Sequence, residues 1–266
     1  MEVKGRKVLV FGAGISGIGA AGLLEANGAD VILYDGNEKL DPASLKEQLG
    51  EKSGAAVLTG KLITSLDMAV LSPGVPTDLP VVLAMKEAGV QVIGEIELAY
   101  QFGKGDVLAI TGTNGKTTTT SLLGQIMKQA REEVYVVGNI GNPYTAVAGQ
   151  MTEQAVTVAE ISSFQLETIR EFRPKVSAIL NITPDHLNRH HTMEAYIESK
   201  ENIAVNQTED DFCILNYEDR LLREFGENLR AKVLYFSSQR KLEEGIFLED
   251  GGIVLCLNGQ KETICH

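Results

Sequence analysis

The chain has 266 residues, 24 Lys plus Arg against 36 Asp plus Glu, and a formal net charge of -12. That length is read as two domains, each able to bury a core, and the acidic balance argues against a general nucleic-acid surface, leaving any anionic ligand to local glycine loops and a few cations. No apolar run approaches the roughly 20 residues of a membrane helix, no cleavable leader is evident, and three cysteines (Cys213, Cys256, Cys265) without CxxC spacing point to reduced core thiols in a cytoplasmic protein.

The first predicted element is a short apolar strand, Lys7–Phe11, which runs into Gly12-Ala-Gly-Ile-Ser-Gly17 and an alanine-rich helix to about Asn27. A second strand follows at residues 30–35 and ends on Asp35. In this βαβ start Gly12 permits the tight turn, Gly14 lets a pyrophosphate approach the backbone and Gly17 allows close helix packing. Asp35 stands where it either accepts from a ribose or base, or is simply a solvated carboxylate at a strand end. Taken alone this stretch suggests NAD, although it describes a way of holding any pyrophosphate-linked nucleotide.

Further strands are predicted at 55–58 and 68–71, the second leading into Ser72-Pro-Gly-Val-Pro76. Ser72 and Gly74 either border the same ligand, at the carboxyl edge of the sheet, or form a rigid turn. A helix at 79–88, a strand at 90–92 and a helix at 95–100 complete the domain, with 102–106 as linker.

The stretch Val107 to Ser121 breaks from an apolar run into Thr111-Gly-Thr-Asn-Gly-Lys-Thr-Thr118 at a helix start. Backbone N–H groups there face an anion, Lys116 reaches outer phosphates and the Thr117 hydroxyl suits Mg²⁺. The strict P-loop spacing fails, because Ile110 stands where the first glycine belongs.

Apolar segments then recur at 134–137, 155–159 and 176–180, leading respectively to Asn139, Glu160 and His186. As parallel strands they would deliver all three to the edge carrying Lys116, where a carboxylate and an imidazole suit a Mg²⁺-bound phosphate chain. Glu160 as an N-cap or first-turn carboxylate of the following segment and His186 as a loop histidine are the duller readings; His190, His191 and His266 are read as surface residues. In the helical stretch 193–204 the apolar positions 193, 196, 197, 203 and 204 form one stripe with Lys200 in its middle. Its ammonium therefore either snorkels to the surface or meets a carboxylate, a metal-site anion or a modification. A strand at 212–216, a helix near 218–225 and a strand at 232–236 precede a meander over 245–264 with Asp-Gly and Asn-Gly turns.

With these motifs the chain resembles the Mur ligase family, the ATP-dependent amide-forming ligases of peptidoglycan synthesis, over nearly its whole length. The phosphate loop at 111–118 and Leu180-Asn-Ile-Thr-Pro-Asp-His-Leu187 resemble family motifs. Gly138-Asn-Ile-Gly141, Glu160-Ile-Ser-Ser-Phe-Gln-Leu-Glu167 and the N-terminal glycine loop are similar to the branch that adds D-glutamate. The implied fold is α/β: a Rossmann-like domain (1–103) for the UDP substrate, then a P-loop-type mononucleotide-binding α/β domain (104–266), incomplete at its C-terminus and ending in a small antiparallel meander.

The resemblance further implies ATP on Gly112, Thr113, Asn114, Gly115, Lys116, Thr117 and Thr118. UDP-N-acetylmuramoyl-L-alanine would lie on Ile15, Ser16, Gly17, Asp35, Gly74, Asn139 and His186, with D-glutamate as the incoming amine. Thr117 and Glu160 would hold one Mg²⁺, and His186 with a CO₂-derived carbamate on Lys200 a second, so that Lys116, His186 and Lys200 form the catalytic set. A cytoplasmic monomer without nucleic-acid partners is expected. Asn188 departs from the Asp of many relatives. The chain stops before the family's adenine-contacting residues and C-terminal domain, so a truncated enzyme without turnover is expected. The alternatives are an NAD-linked oxidoreductase, which leaves Lys116, Glu160 and Lys200 unexplained, and a non-catalytic sugar-nucleotide-binding protein.

Overall fold

Alternation of strand and helix along the sequence becomes two parallel-stranded sheets in the computed structural model, which describes residues 1–36, 54–55 and 59–266. Contacts divide the chain into two units. The first comprises Met1–Gly105, Tyr135–Ala155 and Ser163–Phe172; the second comprises Asp106–Val134, Val156–Ser162 and Arg173–His266. The sequence divides the chain once, at 103/104, whereas the contact units part at Gly105/Asp106 and assign two later segments to the first unit.

In the first unit the order is β1 (Lys7–Phe11), α1 (Ile15–Ala26), β2 (Asp30–Tyr34), β3 (Gly54–Ala55), α2 (Gly60–Ile63), β4 (Met68–Leu71), α3 (Pro80–Glu87), β5 (Gln91–Gly94) and α4 (Glu95–Phe102). The predicted strand at 55–58 lies mostly outside the described residues. The sheet order is β3-β2-β1-β4-β5, all parallel, with Leu9, Phe11, Ala69 and Leu71 in a core shared with Val82 and Met85 of α3. Strand order reverses between β1 and β4, so the loops leaving these strands flank the crevice where such sheets bind ligands.

Close packing of loop on helix requires the glycines here. A Cβ at Gly17 would lie 1.7 Å from the Gly12 carbonyl oxygen. Gly17→Ala is therefore expected to destabilise the chain by about 1–3 kcal/mol or more, as overpacking does, read as a lower urea midpoint. An unchanged midpoint would contradict the packing described.

The segment 163–172 is held to the first unit by a carboxylate of α4, and the segment 135–155 by packing of its turn. Glu97, 0% exposed, accepts the backbone N–H groups of Arg170, Glu171 and Phe172 at 2.8–3.1 Å. Gly94 donates its N–H to the Thr168 carbonyl, and the turn Tyr144–Ala146 packs on α1 and α4.

The second unit carries β6 (Asp106–Thr111) and α5 (Lys116–Ala130); β7 (Val134–Gly138) runs across the boundary between units, and β8 (Val156–Glu160) returns to the second. The short α6 (Ser163–Leu166) belongs to the first unit. Then come β9 (Val176–Ile179), α7 (Leu187–His190), α8 (Met193–Glu201), β10 (Phe212–Asn216), α9 (Arg220–Gly226), β11 (Lys232–Ser237), β12 (Gly245–Glu249), β13 (Gly252–Leu257) and β14 (Gln260–Cys265). Strand β6 lies between β8 and β9, parallel to both, followed outward by parallel β10 and β11. The expected meander is present as antiparallel β12-β13-β14, with β12 parallel to β11. Its turns, Asp250-Gly251 and Asn258-Gly259, have all four φ angles positive, the backbone form that tight hairpins select. Cys213 and Cys256 are buried as expected, but Cys265 is exposed on β14.

Candidate functional site

In the second unit the carboxyl ends of β6, β8 and β9 bring the predicted phosphate-binding groups onto one edge. Register places Ile110 beside Glu160 and Thr111 beside Ile179. The phosphate loop then leaves β6 through Gly112 (φ 150°) and Gly115 (φ 84°), the latter opening the 15-residue helix α5. Both angles favour glycine, and a Cβ at Gly112 would press on Leu180 at 3.1 Å.

The loop is braced from β9. Asn181 accepts Asn114 N–H through its side-chain oxygen at 2.9 Å and returns its amide to the Asn114 carbonyl at 3.0 Å. Thr113 exchanges hydrogen bonds with the backbone of Thr183 and lies 3.1 Å from the Tyr196 hydroxyl. Sequence reasoning missed Asn181 and Tyr196 in this role, although Asn181 stands in the same motif as His186. Thr117 and Thr118 are exposed in the first turn of α5, clear of these internal bonds.

Two ammonium groups meet at one carbonyl. Lys116 Nζ donates to the oxygens of Gly112 at 2.8 Å and Thr113 at 3.0 Å, and Lys200 Nζ donates to the same Gly112 oxygen at 2.8 Å. Lys200 is 2% exposed, which removes the snorkelling alternative, and its Nζ lies 4.8 Å from the Tyr196 ring centroid. Burial, and then the Lys116 charge, lower its pKa from 10.5 to about 7 against the opposing pull of Asp185. Burial thus favours the neutral amine over the charged form.

Glu160 is 1% exposed and forms the last residue of β8 itself, not the start of the following helix, which excludes the first-turn reading. His186 takes a left-handed conformation (φ 52°) before α7, with Nε2 3.6 Å from Asp185 Oδ2 and its ring centroid 6.5 Å from that of Tyr196. Such a backbone is costly for a residue with a side chain and is concentrated at functional sites. His190 is not the surface residue expected: it is 6% exposed, with Nδ1 3.2 Å from Ser199 Oγ and its ring against Tyr196. It fell on a short segment with too few apolar neighbours for the sequence to reveal its burial.

Asn139, predicted beside Lys116, falls in the first unit, where it lines a pocket of about 200 Å³ with Ile15, Ser16, Pro73 and Gln165. The turn 138–141 forms one wall, with Gly138 and Gly141 at positive φ. This volume is below the roughly 300–1,000 Å³ that encloses a drug-sized ligand, so it accommodates a portion of one. Gly17 is buried under the loop, and Asp35 turns inward to accept Ala13 N–H at 2.7 Å, bracing the loop. Gly74 is exposed, and its neighbour Pro73 lines the pocket instead. Gln165 and Pro73 were missed by the sequence reading; Gln165 lay within the quoted segment 160–167 but carried no signal of the direction it faces.

Among the described residues no group of three His, Cys, Asp or Glu side chains could hold a metal, and no helix is long and apolar enough to cross a membrane. Glycine loops at the carboxyl ends of parallel strands in both sheets, one of them with a Gly-Lys-Thr helix start, define an α/β protein with two glycine-loop edges. Residues 110–259 match the Mur ligase middle domain and residues 6–94 match the Mur ligase MurD-like N-terminal domain, and the chain belongs to the Mur ligase family.

A protein of Lachnospira eligens named UDP-N-acetylmuramoylalanine--D-glutamate ligase is 54% identical over 265 residues, covering 98% of this chain and 59% of its own length. One of the same name from Lachnoclostridium phytofermentans is 55% identical, covering 100% and 59%. The chain thus spans about 59% of the length of these relatives. Among solved structures, the UDP-N-acetylmuramate:L-alanyl-gamma-D-glutamyl-meso-diaminopimelate ligase of Neisseria meningitides superposes with a TM-score of 0.62 at 18% identity, covering 97% of this chain and 86% of that one. UDP-N-acetylmuramate-alanine ligase of Thermotoga maritima gives 0.53 at 22%, covering 97% and 58%. These likenesses show the fold. The glycine loop at 12–17 lies inside the MurD-like match, which leaves the NAD reading without support.

Proposed function

We propose that this chain is the substrate- and ATP-binding part of a ligase that joins D-glutamate to UDP-N-acetylmuramoyl-L-alanine. The observation that carries the reading is the convergence of Lys116 and Lys200 on the Gly112 carbonyl, two cations crowded at a glycine loop with a long helix behind it. Such a loop meets a polyanion: phosphate oxygens replace the carbonyls as partners of Lys116, and the amides of residues 112–118 face the phosphate chain.

The residues present fit a Mg²⁺–nucleotide. Thr117 and Glu160 offer hard oxygen donors at adjoining strand and helix ends, and Mg²⁺ characteristically takes one or two protein ligands and completes its shell with phosphate and water. In this reading Thr117 and Glu160 hold one ion, while His186 and a carbamate on Lys200 hold the second. A neutral Lys200 amine is the form that attacks CO₂, creating the N–C bond and releasing a proton. Bound Mg²⁺ would supply neutralisation of charge on the transferring phosphoryl group.

The chemistry required is activation of a carboxylate. The free carboxylate of the L-alanyl group attacks the γ-phosphate, ADP leaves, and the D-glutamate amine displaces phosphate from the acyl phosphate. Lys116 offsets the repulsion between two anions, an electrostatic role worth several kcal/mol. Residues 1–103 take the uridine nucleotide, with Ile15, Ser16, Gly17, Asp35 and Asn139 about it and Gly74 at its border; residues 104–266 take ATP. The protein works as a cytoplasmic monomer.

A thermal-shift titration tests this. UDP-N-acetylmuramoyl-L-alanine at about 100 times its Kd is expected to stabilise the chain by roughly 2.7 kcal/mol, with NAD⁺ giving no shift. Stabilisation by NAD⁺ instead would overturn the assignment of the first unit.

A further inference from the structure

The phosphate loop is tied residue by residue to the segment that carries His186 and Lys200. Leu180 N–H donates to the Thr111 carbonyl at 3.0 Å, Lys200 Nζ to the Gly112 carbonyl at 2.8 Å, and Thr113 N–H to the Asn181 carbonyl at 2.9 Å. At Asn114 one side chain makes the tie: Asn181 Oδ1 accepts the Asn114 N–H at 2.9 Å, and its Nδ2 donates to the Asn114 carbonyl at 3.0 Å. Both partners are backbone groups, one able only to donate and the other only to accept, so together they fix which way round the amide lies. The last paired residues of β6 and β9 are Thr111 and Ile179. Beyond them Asn181 does for Asn114 what a neighbouring strand does in a ladder.

These two bonds lie at the surface, where water replaces either partner, so they add little to stability. Their geometric consequence is larger. Asn114 leads directly into Gly115, whose φ of 84° opens α5, and the first N–H groups of that helix have no intrahelical acceptor. The N–H groups of Thr113 and Asn114 are taken by Asn181, so of those that follow Gly112 the ones from Gly115 onward remain for phosphate oxygens. The setting of the Asn114 peptide groups decides where these point.

We propose that Asn181 is a positioning residue for phosphate binding: by gripping both peptide groups of Asn114 it holds the N–H groups of Gly115 to Thr118 aligned before the ligand arrives. This inference rests on the reading of the loop as a triphosphate site. A loop already held in its bound form loses none of its binding free energy to ordering. Without the side chain, Asn114 turns to water and part of the affinity goes into restoring the turn. A polyphosphate makes this matter, because its closely spaced charged oxygens are met by several N–H groups at once only when those groups are aligned.

Calorimetric titration of the chain with magnesium tripolyphosphate, read beside hydrogen exchange, tests the role. Asn181→Ala is expected to bind about tenfold more weakly than the wild-type chain and to lose protection at the Asn114 N–H, while β6 keeps its own and the urea midpoint stays near the wild-type value. Asn181→Ser, whose hydroxyl is too short to reach both groups, should behave likewise. Asn216→Ala is the structural control: Asn216 Nδ2 donates to the Leu180 carbonyl at 3.1 Å and so supports the same strand end without touching the loop. It should lower the urea midpoint and leave the affinity unchanged. The proposal is overturned if either Asn181 variant binds as tightly as the wild-type chain, if Asn114 stays protected in both, or if Asn216→Ala weakens binding as much as they do. Failure of the wild-type chain to bind tripolyphosphate would instead remove the reading of the loop, and the inference with it.

Discussion

Lys116→Met is expected to weaken ATP binding by about 2–5 kcal/mol, the cost of removing one partner of a desolvated charge pair, which is roughly thirtyfold to several thousandfold in Kd. The ammonium sits on the Gly112 and Thr113 carbonyls, so its loss removes the positive end of the loop without disturbing the Asn181 brace. A second effect follows at Lys200. Its charged form is disfavoured first by burial and then by the Lys116 charge, so removing that charge raises its pKa from about 7 while leaving the burial contribution. The sign matters for stability as well. A lysine whose folded pKa lies below its unfolded 10.5 contributes stability above that value, which is lost as pH falls toward about 7. Lys116→Met therefore narrows the pH window of that loss. Nuclear magnetic resonance titration of lysine side chains labelled at Cε reports the Lys200 pKa, and ATP titration reports the affinity. Wild-type affinity in the variant would sink the assignment of Lys116, and an unmoved Lys200 titration would show that the two ammonium groups do not share one site.

Glu97→Leu is expected to cost roughly 3–5 kcal/mol of stability. Its carboxylate collects three backbone N–H groups from 170–172 together with the Gln101 amide, and the substitution leaves those donors without their acceptor, at about 1–3 kcal/mol each before relaxation. The damage is local before it is global. Hydrogen exchange at Arg170, Glu171 and Phe172 should accelerate in the variant more than at β1 or β4, because Glu97 anchors the segment 163–172 to the first unit. Glu97→Gln, with one acceptor oxygen in place of two, should fall between. Full retention of the urea midpoint by Glu97→Leu would show that water replaces the carboxylate at little cost.

Much of the local structure is legible in the residues. Lys7–Phe11, Met68–Leu71 and Phe212–Asn216 are short apolar runs with strand-length limits, and all three form parallel strands as expected. The helix after Lys116 begins where Gly115 allows a left-handed turn, and Asp-Gly and Asn-Gly place the hairpins. Lys200 was also visible as a problem, a cation in an apolar stripe. Less legible were buried polar residues. Glu95 and Glu97 stand at the start of a predicted helix with nothing nearby to mark them as buried, and Gln165 and the N–H groups of 170–172, from which they accept, lie 70 or more positions away. His190 read as surface because nothing in its immediate neighbours signals the ring of Tyr196 or the hydroxyl of Ser199.

The sequence by itself determined the order of strands and helices, the two glycine loops and the cations and hydroxyls available at them, because turn geometry, helix starts and apolar periodicity depend on residues a few positions apart. Only the tertiary structure decided that Lys116 and Lys200 share one carbonyl, that Asn139 joins Ser16 in the first unit, and that Gln165 rests on a buried carboxyl. Those outcomes depend on which distant groups compete for the same donor or acceptor once water is removed. The energy of a desolvated polar group is set by its final neighbours, and a sequence names the candidates without bringing them together.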